Sequence, residues 1–382
     1  MLHDRHLMAK KPSSFIVSIG TAVPSNAYKQ SEIADFMIRY FGLEGDAARK
    51  LSIIYDKSGI ETRHSVLGDF RSNASPSLFK SSMVNPPLSS RMQIYKKEAV
   101  RLAAYAVADC YGSLRKQDRE QLKKVTHLIT VSCTGMSAPG LDIQLMRQLG
   151  LPNDVHRTSV NFMGCYAAFH ALRMADSICR SEEDAVVLVC MVELCSIHFQ
   201  PGEETETLVV NSLFADGAAA VIITSGNKSK KLKSPQLQIC GFSGEVIHDG
   251  AAYMTWDPGE EGFLMGLDAM VPKVIQENAN RMITSAIRKF KLKKKDIGAW
   301  AIHPGGRRIL EATATSMKVE LREFDSSFNV LRQFGNMSSP TICFVLKEIM
   351  QQDRKNMRHI FAAGFGPGIT IETALFKPVM ND

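Results

Sequence analysis

The sequence predicts an α/β protein made of two similar halves, and three observations carry that expectation. Near-continuous apolar runs at 125–131, 185–192 and 218–224 have the composition of strands buried on both faces. Segments of helical periodicity separate them, which is the alternation of an α/β chain. A Lys-, Ser- and Gly-rich stretch at 225–235 then interrupts the pattern, and beyond it the pattern repeats. The predicted division is into residues 1–228 and 229–382.

In chain order, 15–20 reads as a first strand closed by Gly20, Pro24, Ser25 and Asn26, with a helix from about Ser31. Residues 69–90 are thick in Ser, Pro and Asn and read as an irregular excursion, and 96–111 returns to helix. The strand at 125–131 leads into small residues, Cys133 to Gly140, and a helix at 141–149. The next strand reaches Asn161-Phe162-Met163-Gly164-Cys165, where a buried helix is expected to begin at Tyr166. In the second half, strands are expected at 236–248, 297–303, 360–363 and 369–376, with helices at 265–290, 306–317 and 341–350. Gly164-Cys165 and Gly335-Asn336 each set a polar or reactive side chain at a helix start, as a duplicated unit would.

Composition narrows the function. A chain of 382 residues with 45% hydrophobic residues can bury a large core. The formal charge of +7 is a mild basic excess that suits a polyanionic small molecule at least as well as nucleic acid. No interleaving of aromatic and basic residues points to nucleic acid, and the basic runs at 228–233 and 288–295 read as solvated surface. Eight cysteines form no C-x-x-C pair and no zinc spacing, so they are expected to be reduced and no metal site is expected. The polar N-terminus and the short apolar run after it predict neither a signal sequence nor a membrane span, and hence a soluble cytoplasmic protein.

The chemistry lies in three residues. A thiol at the start of a helix is favoured as thiolate, the nucleophilic form, although a cysteine considered alone is ordinarily a packing residue. His303 ends an apolar strand and is followed by Pro304-Gly305-Gly306, a sharp turn at the kind of strand end where α/β sheets place active sites. Asn336 opens the helix that matches the one after Cys165. Singly, such a histidine and asparagine are ordinary structural residues. Together the three supply a nucleophile and two donors, the equipment of acyl transfer.

These residues, with Leu213-Phe214-Ala215-Asp216-Gly217, His303-Pro304-Gly305-Gly306, Gly335-Asn336-Met337-Ser338-Ser339 and Gly364-Phe365-Gly366-Pro367-Gly368, closely resemble the type III polyketide synthases, the chalcone synthase-like family. The resemblance runs from Val17 to Phe376. It implies a thiolase-like fold, two duplicated α/β halves in α-β-α-β-α layers, and a homodimer without metal or redox cofactor. It implies that Cys165 takes an acyl starter from acyl-CoA, paired as thiolate with a His303 imidazolium. His303 and Asn336 would then stabilise the enolate formed by decarboxylation of malonyl-CoA, which extends the chain before cyclisation to a pyrone, resorcinol or other phenolic product. Phe214 corresponds to an aromatic beside the cysteine, and Met265, Cys133, Ser338 and Cys195 to pocket residues. Lys57 falls in the segment that resembles the family's CoA-binding segment, with Lys50 and Arg308 as further cations.

Plant members carry a second gating Phe where Met265 stands, and many have Thr where Cys133 stands. These departures resemble microbial members, several of which take fatty acyl starters. The trio alone also admits a single-condensation ketoacyl-ACP synthase III, and a non-catalytic acyl-CoA-binding scaffold is a further alternative.

Overall fold

A computed structural model describes residues 12–71, 76–80, 85–352 and 357–379. Most of the expected polar N-terminal segment, and parts of the expected irregular excursion, lie outside these residues. The first half contains strands β1 (Ser14–Ala22), β2 (Asn26–Lys29), β3 (Thr62–Ser65), β4 (His127–Ser132), β5 (His156–Asn161), β6 (Val186–Leu194) and β7 (Asp216–Ser225). The second contains β8 (Gln236–Val246), β9 (Met254–Gly259), β10 (Gly262–Leu267), β11 (Ala299–Ile302), β12 (Ile360–Gly366) and β13 (Thr370–Val379). Helices of the first half are α1 (Gln30–Tyr40), α2 (Gly45–Asp56), α3 (Leu88–Gly112), α4 (Lys116–Leu122), α5 (Leu141–Leu149), α6 (Ala167–Ser181) and α7 (Thr205–Leu213). The short α8 (Gly226–Ser229) is followed by α9 (Val271–Lys289), α10 (Arg307–Met317), α11 (Asp325–Phe334) and α12 (Thr341–Gln351).

One nine-stranded sheet runs β11-β12-β13-β8-β1-β7-β6-β4-β5. From β1 outward the pairings are antiparallel with β7, antiparallel to β6, parallel to β4 and parallel to β5. From β8 outward they are antiparallel with β13, antiparallel to β12 and parallel to β11. The two halves thus share order and direction, and they join where Ser14, Phe15 and Ile16 of β1 pair with β8.

Strand period decides the layers. β6 sends Val187, Val189 and Met191 into a core shared with α6 and α12, and Val186, Leu188 and Cys190 into another with α1 and α3. β12 sends Ile360 and Ala362 into the shared core, and Phe361 and Ala363 into a third core with α9 and α10. The order is therefore helices, strands, the α6/α12 pair, strands, helices, the five layers of a thiolase-like fold. Burial on both faces is why these strands read as unbroken apolar runs.

One expectation changes. Residues 265–270 are not helical: Met265 lies on β10, hairpin-paired with Trp256 of β9, and the helix begins at Val271. Pro272 falls in the first turn, where its missing N–H costs nothing. The Lys-, Ser- and Gly-rich stretch at 225–235 carries α8, which crosses the 228/229 position, and it buries Leu232 and Ser234.

Candidate active site

Cys165 sits beyond the C-terminal end of β5, in a single 3-10 turn, Gly164–Tyr166, with α6 starting at Ala167. The 3-10 turn runs directly into α6, which starts one residue later than the sequence predicts. The corner is made by Phe162 and Gly164, at φ 57° and 72°. A Cβ at Gly164 would fall 2.5 Å from Cδ of Pro367, so the Gly-Phe-Gly-Pro-Gly loop presses directly on the turn that carries the thiol. Gly164→Ala is expected to cost about 2–4 kcal/mol, combining left-handed backbone strain with overpacking. Urea unfolding checks this, and an unchanged midpoint would contradict it.

His303 follows β11, its N–H donating to the carbonyl of Ala363 at 2.8 Å. It is buried, and neither ring nitrogen has a hydrogen-bond partner. A buried imidazole with both nitrogens unpaired is costly unless something that binds supplies the partner. Asn336 is held by its backbone: its N–H donates to Leu213 and its carbonyl accepts from Ala215, each at 2.9 Å. Its Nδ2 donates to the Gly305 carbonyl at 3.1 Å, tying it to the His-Pro-Gly-Gly turn, and its Oδ1 accepts from Ser338 N–H at 2.8 Å. Ser338 Oγ lies 3.6 Å from the sulfurs of both Cys165 and Cys133.

Two cavities meet at the thiol. The outer, about 580 Å³, is lined by Cys165, His303 and Asn336 and by the cations Lys57, Arg307 and Arg308. The inner, about 350 Å³, is lined by Cys133, Cys195, Ser338, His198, Trp256 and Phe263. Cys165, Phe214 and Met265 line both, so the last two flank the passage in which the thiol stands. Lys50 lines neither. Its Nζ donates to the Glu203 carbonyl at 3.1 Å in an adjoining depression with Ile53, Ile54 and Thr205.

Four lining or supporting residues escape sequence reasoning. Arg307 packs where a Cβ on Gly59 would come within 3.2 Å of its Cδ; its only signal is adjacency to Arg308. Glu193 is fully buried and accepts from Cys133 N–H, Thr134 N–H, Thr134 Oγ1 and Ser339 Oγ at 2.6–3.2 Å, bracing the inner wall. Burial holds its carboxyl above the usual range, and those donors pull it back. His198 accepts from Phe263 N–H at Nδ1 (3.0 Å), which leaves Nε2 to donate to the Thr134 carbonyl (2.8 Å). Trp256 donates to the Cys133 carbonyl at 2.7 Å. Nothing local marks these residues, because their partners are far away in the chain.

Burial pushes the Cys165 thiol up to about 11, opposed by the Ser338 hydroxyl and reinforced by Glu193. Burial alone pushes His303 down to about 3. Both shifts favour the uncharged forms, thiol and neutral imidazole, over the thiolate–imidazolium pair that the resemblance implies. Since the thiol pKa is raised, the thiolate fraction is small at pH 7 and climbs with pH. Alkylation of Cys165 by iodoacetamide is expected to be slower than that of glutathione at pH 7 and to rise steadily from pH 6 to 10. A plateau below pH 7 would show a resting thiolate.

The fold is thiolase-like, and the site is that of an acyl-transferring cysteine enzyme. The model for the N-terminal domain of chalcone and stilbene synthases matches residues 3–227, and that for the C-terminal domain matches 242–380. The chain belongs to the chalcone and stilbene synthase family, the type III polyketide synthases. It is 29% identical over 363 residues to the alpha-pyrone synthesis polyketide synthase-like Pks18 of Mycobacterium tuberculosis, covering 94% of this chain and 90% of that one. It is 29% identical over 373 residues to probable polyketide synthase 1 of Dictyostelium discoideum, covering 96% of this chain but only 12% of that relative's length. PKS-I of the brown alga Ectocarpus siliculosus superposes with TM-score 0.89 at 26% identity, covering 97% of this chain and 99% of that one. The C-terminal type III domain of Steely1 from Dictyostelium superposes at 0.87 with 27% identity, covering 96% and 100%.

Proposed function

We propose that this enzyme loads an acyl group from acyl-CoA onto Cys165, extends it with malonyl-CoA, and releases a short polyketide as a pyrone. The observation that carries the reading is the thiol standing between a cation-lined outer cavity and an inner chamber. Lys57, Arg307 and Arg308 suit the phosphates of CoA, and the inner chamber suits the growing chain.

Each group has a role. His303, neutral, takes the thiol proton as sulfur attacks the thioester carbonyl, and returns it to the departing CoA sulfur. Malonyl-CoA then loses CO2, and the electron pair of the broken carbon–carbon bond becomes an enolate. Its oxygen accepts from a His303 ring N–H and from the Asn336 Nδ2 hydrogen not given to Gly305. The enolate carbon attacks the acyl group, expelling the Cys165 sulfur, and transfer of the lengthened chain back to Cys165 readies the next cycle. Attack of an enol oxygen on the thioester closes the lactone. The electrons for each new carbon–carbon bond come from decarboxylation, so no metal or redox cofactor is assigned.

An inner chamber of about 350 Å³ is at the lower end of the usual 300–1,000 Å³ range of small-molecule sites, which favours a short starter over a long fatty acyl chain. A cytoplasmic homodimer is part of the proposal. β5 is a sheet edge whose residues His156 to Ser159 are exposed, and Met136 and Ile143 nearby are 52% and 45% exposed, a surface suited to a second copy. Among the described residues no helix is long and apolar enough to cross a membrane.

The test is mass spectrometry of products from malonyl-CoA with acetyl- to long-chain acyl-CoA starters. Pyrones from the short starters support the reading. One condensation only, and only with malonyl-ACP, would establish the ketoacyl-ACP synthase reading instead.

A further inference from the structure

The register of the large sheet separates two kinds of chemistry. At one end lie Ser132, Asn161, Asp216, Ile302 and Gly366, the strand ends around which the reactive site is built. At the other end His127 pairs with His156 and Val187, Ser14 with Ser225 and Ile239, and Ala299 with Ile360. Three Lys/Arg-rich segments meet this second end: α4 and the residues leading into β4, the stretch between β7 and β8, and the stretch from the end of α9 to β11.

Six of the eight residues at 288–295 and four of the six at 228–233 are Lys or Arg, and neither stretch contains an acid. Lys116, Arg119, Lys123 and Lys124 are exposed in the first segment, Lys230 and Lys231 in the second, and Lys291, Lys293 and Lys295 in the third. Several nearby acids are already engaged. Asp118 is buried and accepts from the backbone of Lys233 and Ser234. Asp296 accepts from Lys293 N–H, Glu120 pairs with Lys123, Asp184 lies 3.9 Å from Lys228, and Glu182 lies 3.6 Å from His127. Glu183 is exposed beside them. Together the three segments carry more net positive charge than the whole chain's +7, so the remainder of the protein is net acidic.

We propose that this end of the sheet docks on an anionic phospholipid bilayer, leaving the outer cavity open to water on the far side. The cations are mostly lysines spread over three segments, the form that suits a diffuse layer of lipid headgroups. No exposed large hydrophobic residue belongs to the three segments, whereas a protein interface would call for an apolar or aromatic anchor and single-stranded nucleic acid for stacking rings. The proposal is independent of which polyketide the enzyme makes.

Co-sedimentation of the full chain with vesicles tests it. At 0.1 M salt the protein is expected to pellet with phosphatidylcholine vesicles containing 30% phosphatidylserine, not with phosphatidylcholine alone, and to be released at 0.5 M salt. Combined K291E, K293E and K295E should lower partitioning at least about 100-fold, from about fivefold per lysine. Combined R39E, K97E and K273E, an equal change in net charge elsewhere, should lower it far less. Activity on soluble CoA substrates reports that both variants fold, and the vesicle-bound wild type should retain it. Failure to pellet with anionic vesicles, equal binding to neutral ones, or equal losses in the two triple variants would each overturn the proposal.

Discussion

Cys165→Ala is expected to abolish both the acyl-enzyme and the product while leaving malonyl-CoA decarboxylation measurable. Of the eight cysteines, Cys165 alone lines both cavities; Cys133 and Cys195 line only the inner one. Removing a covalent nucleophile removes the route itself, so the loss in turnover should be at least about four orders of magnitude. In the proposed mechanism decarboxylation uses the donors on His303 and Asn336, and Asn336 is fixed by backbone contacts that do not involve the sulfur. Intact-protein mass spectrometry after incubation with starter, together with CO2 release, checks both halves. An acyl adduct surviving in the alanine variant would transfer the nucleophilic role to another thiol.

His303→Ala is expected to stop loading and decarboxylation together. As a base the imidazole is worth about 10²–10⁴, and as a donor to the enolate about 10²–10³. The combined loss in product formation should therefore reach about 10⁴ or more. Burial pushes its pKa down to about 3, which favours the neutral ring at assay pH. Any acid limb in the wild-type rate should accordingly not centre near 6.5, the ordinary histidine value. A variant that still decarboxylated malonyl-CoA at more than a tenth of the wild-type rate would remove His303 from that step.

Much of the fold is legible in the sequence because burial on both faces writes itself into composition. Val186 to Val192 is apolar without alternation because each face of β6 meets a different core. The trio was readable for a different reason: each member sits beside glycines that permit a tight corner, and at Gly164 the structure shows why, with Pro367 within 2.5 Å of where a Cβ would be. The 265–270 segment misled because an amphipathic hairpin strand running into a helix leaves one continuous apolar trace, and only Pro272 marks the change.

Sequence alone determined the family and singled out Cys165, His303 and Asn336 for the proposed roles, since these rest on local turns and on residue types that acyl transfer requires. Tertiary structure decided everything that depends on burial and on distant contacts. It showed that a 3-10 turn carries the thiol directly into α6, and that desolvation pushes the Cys165 thiol up and the His303 imidazole down. It placed Lys50 outside both cavities, and it showed that Glu193, His198 and Trp256 build the inner wall. The physical reason is the same in each case: a helix terminus is visible in a row of residues, whereas the solvent lost around a sulfur and the partners of a buried carboxylate come from strands far apart in the chain.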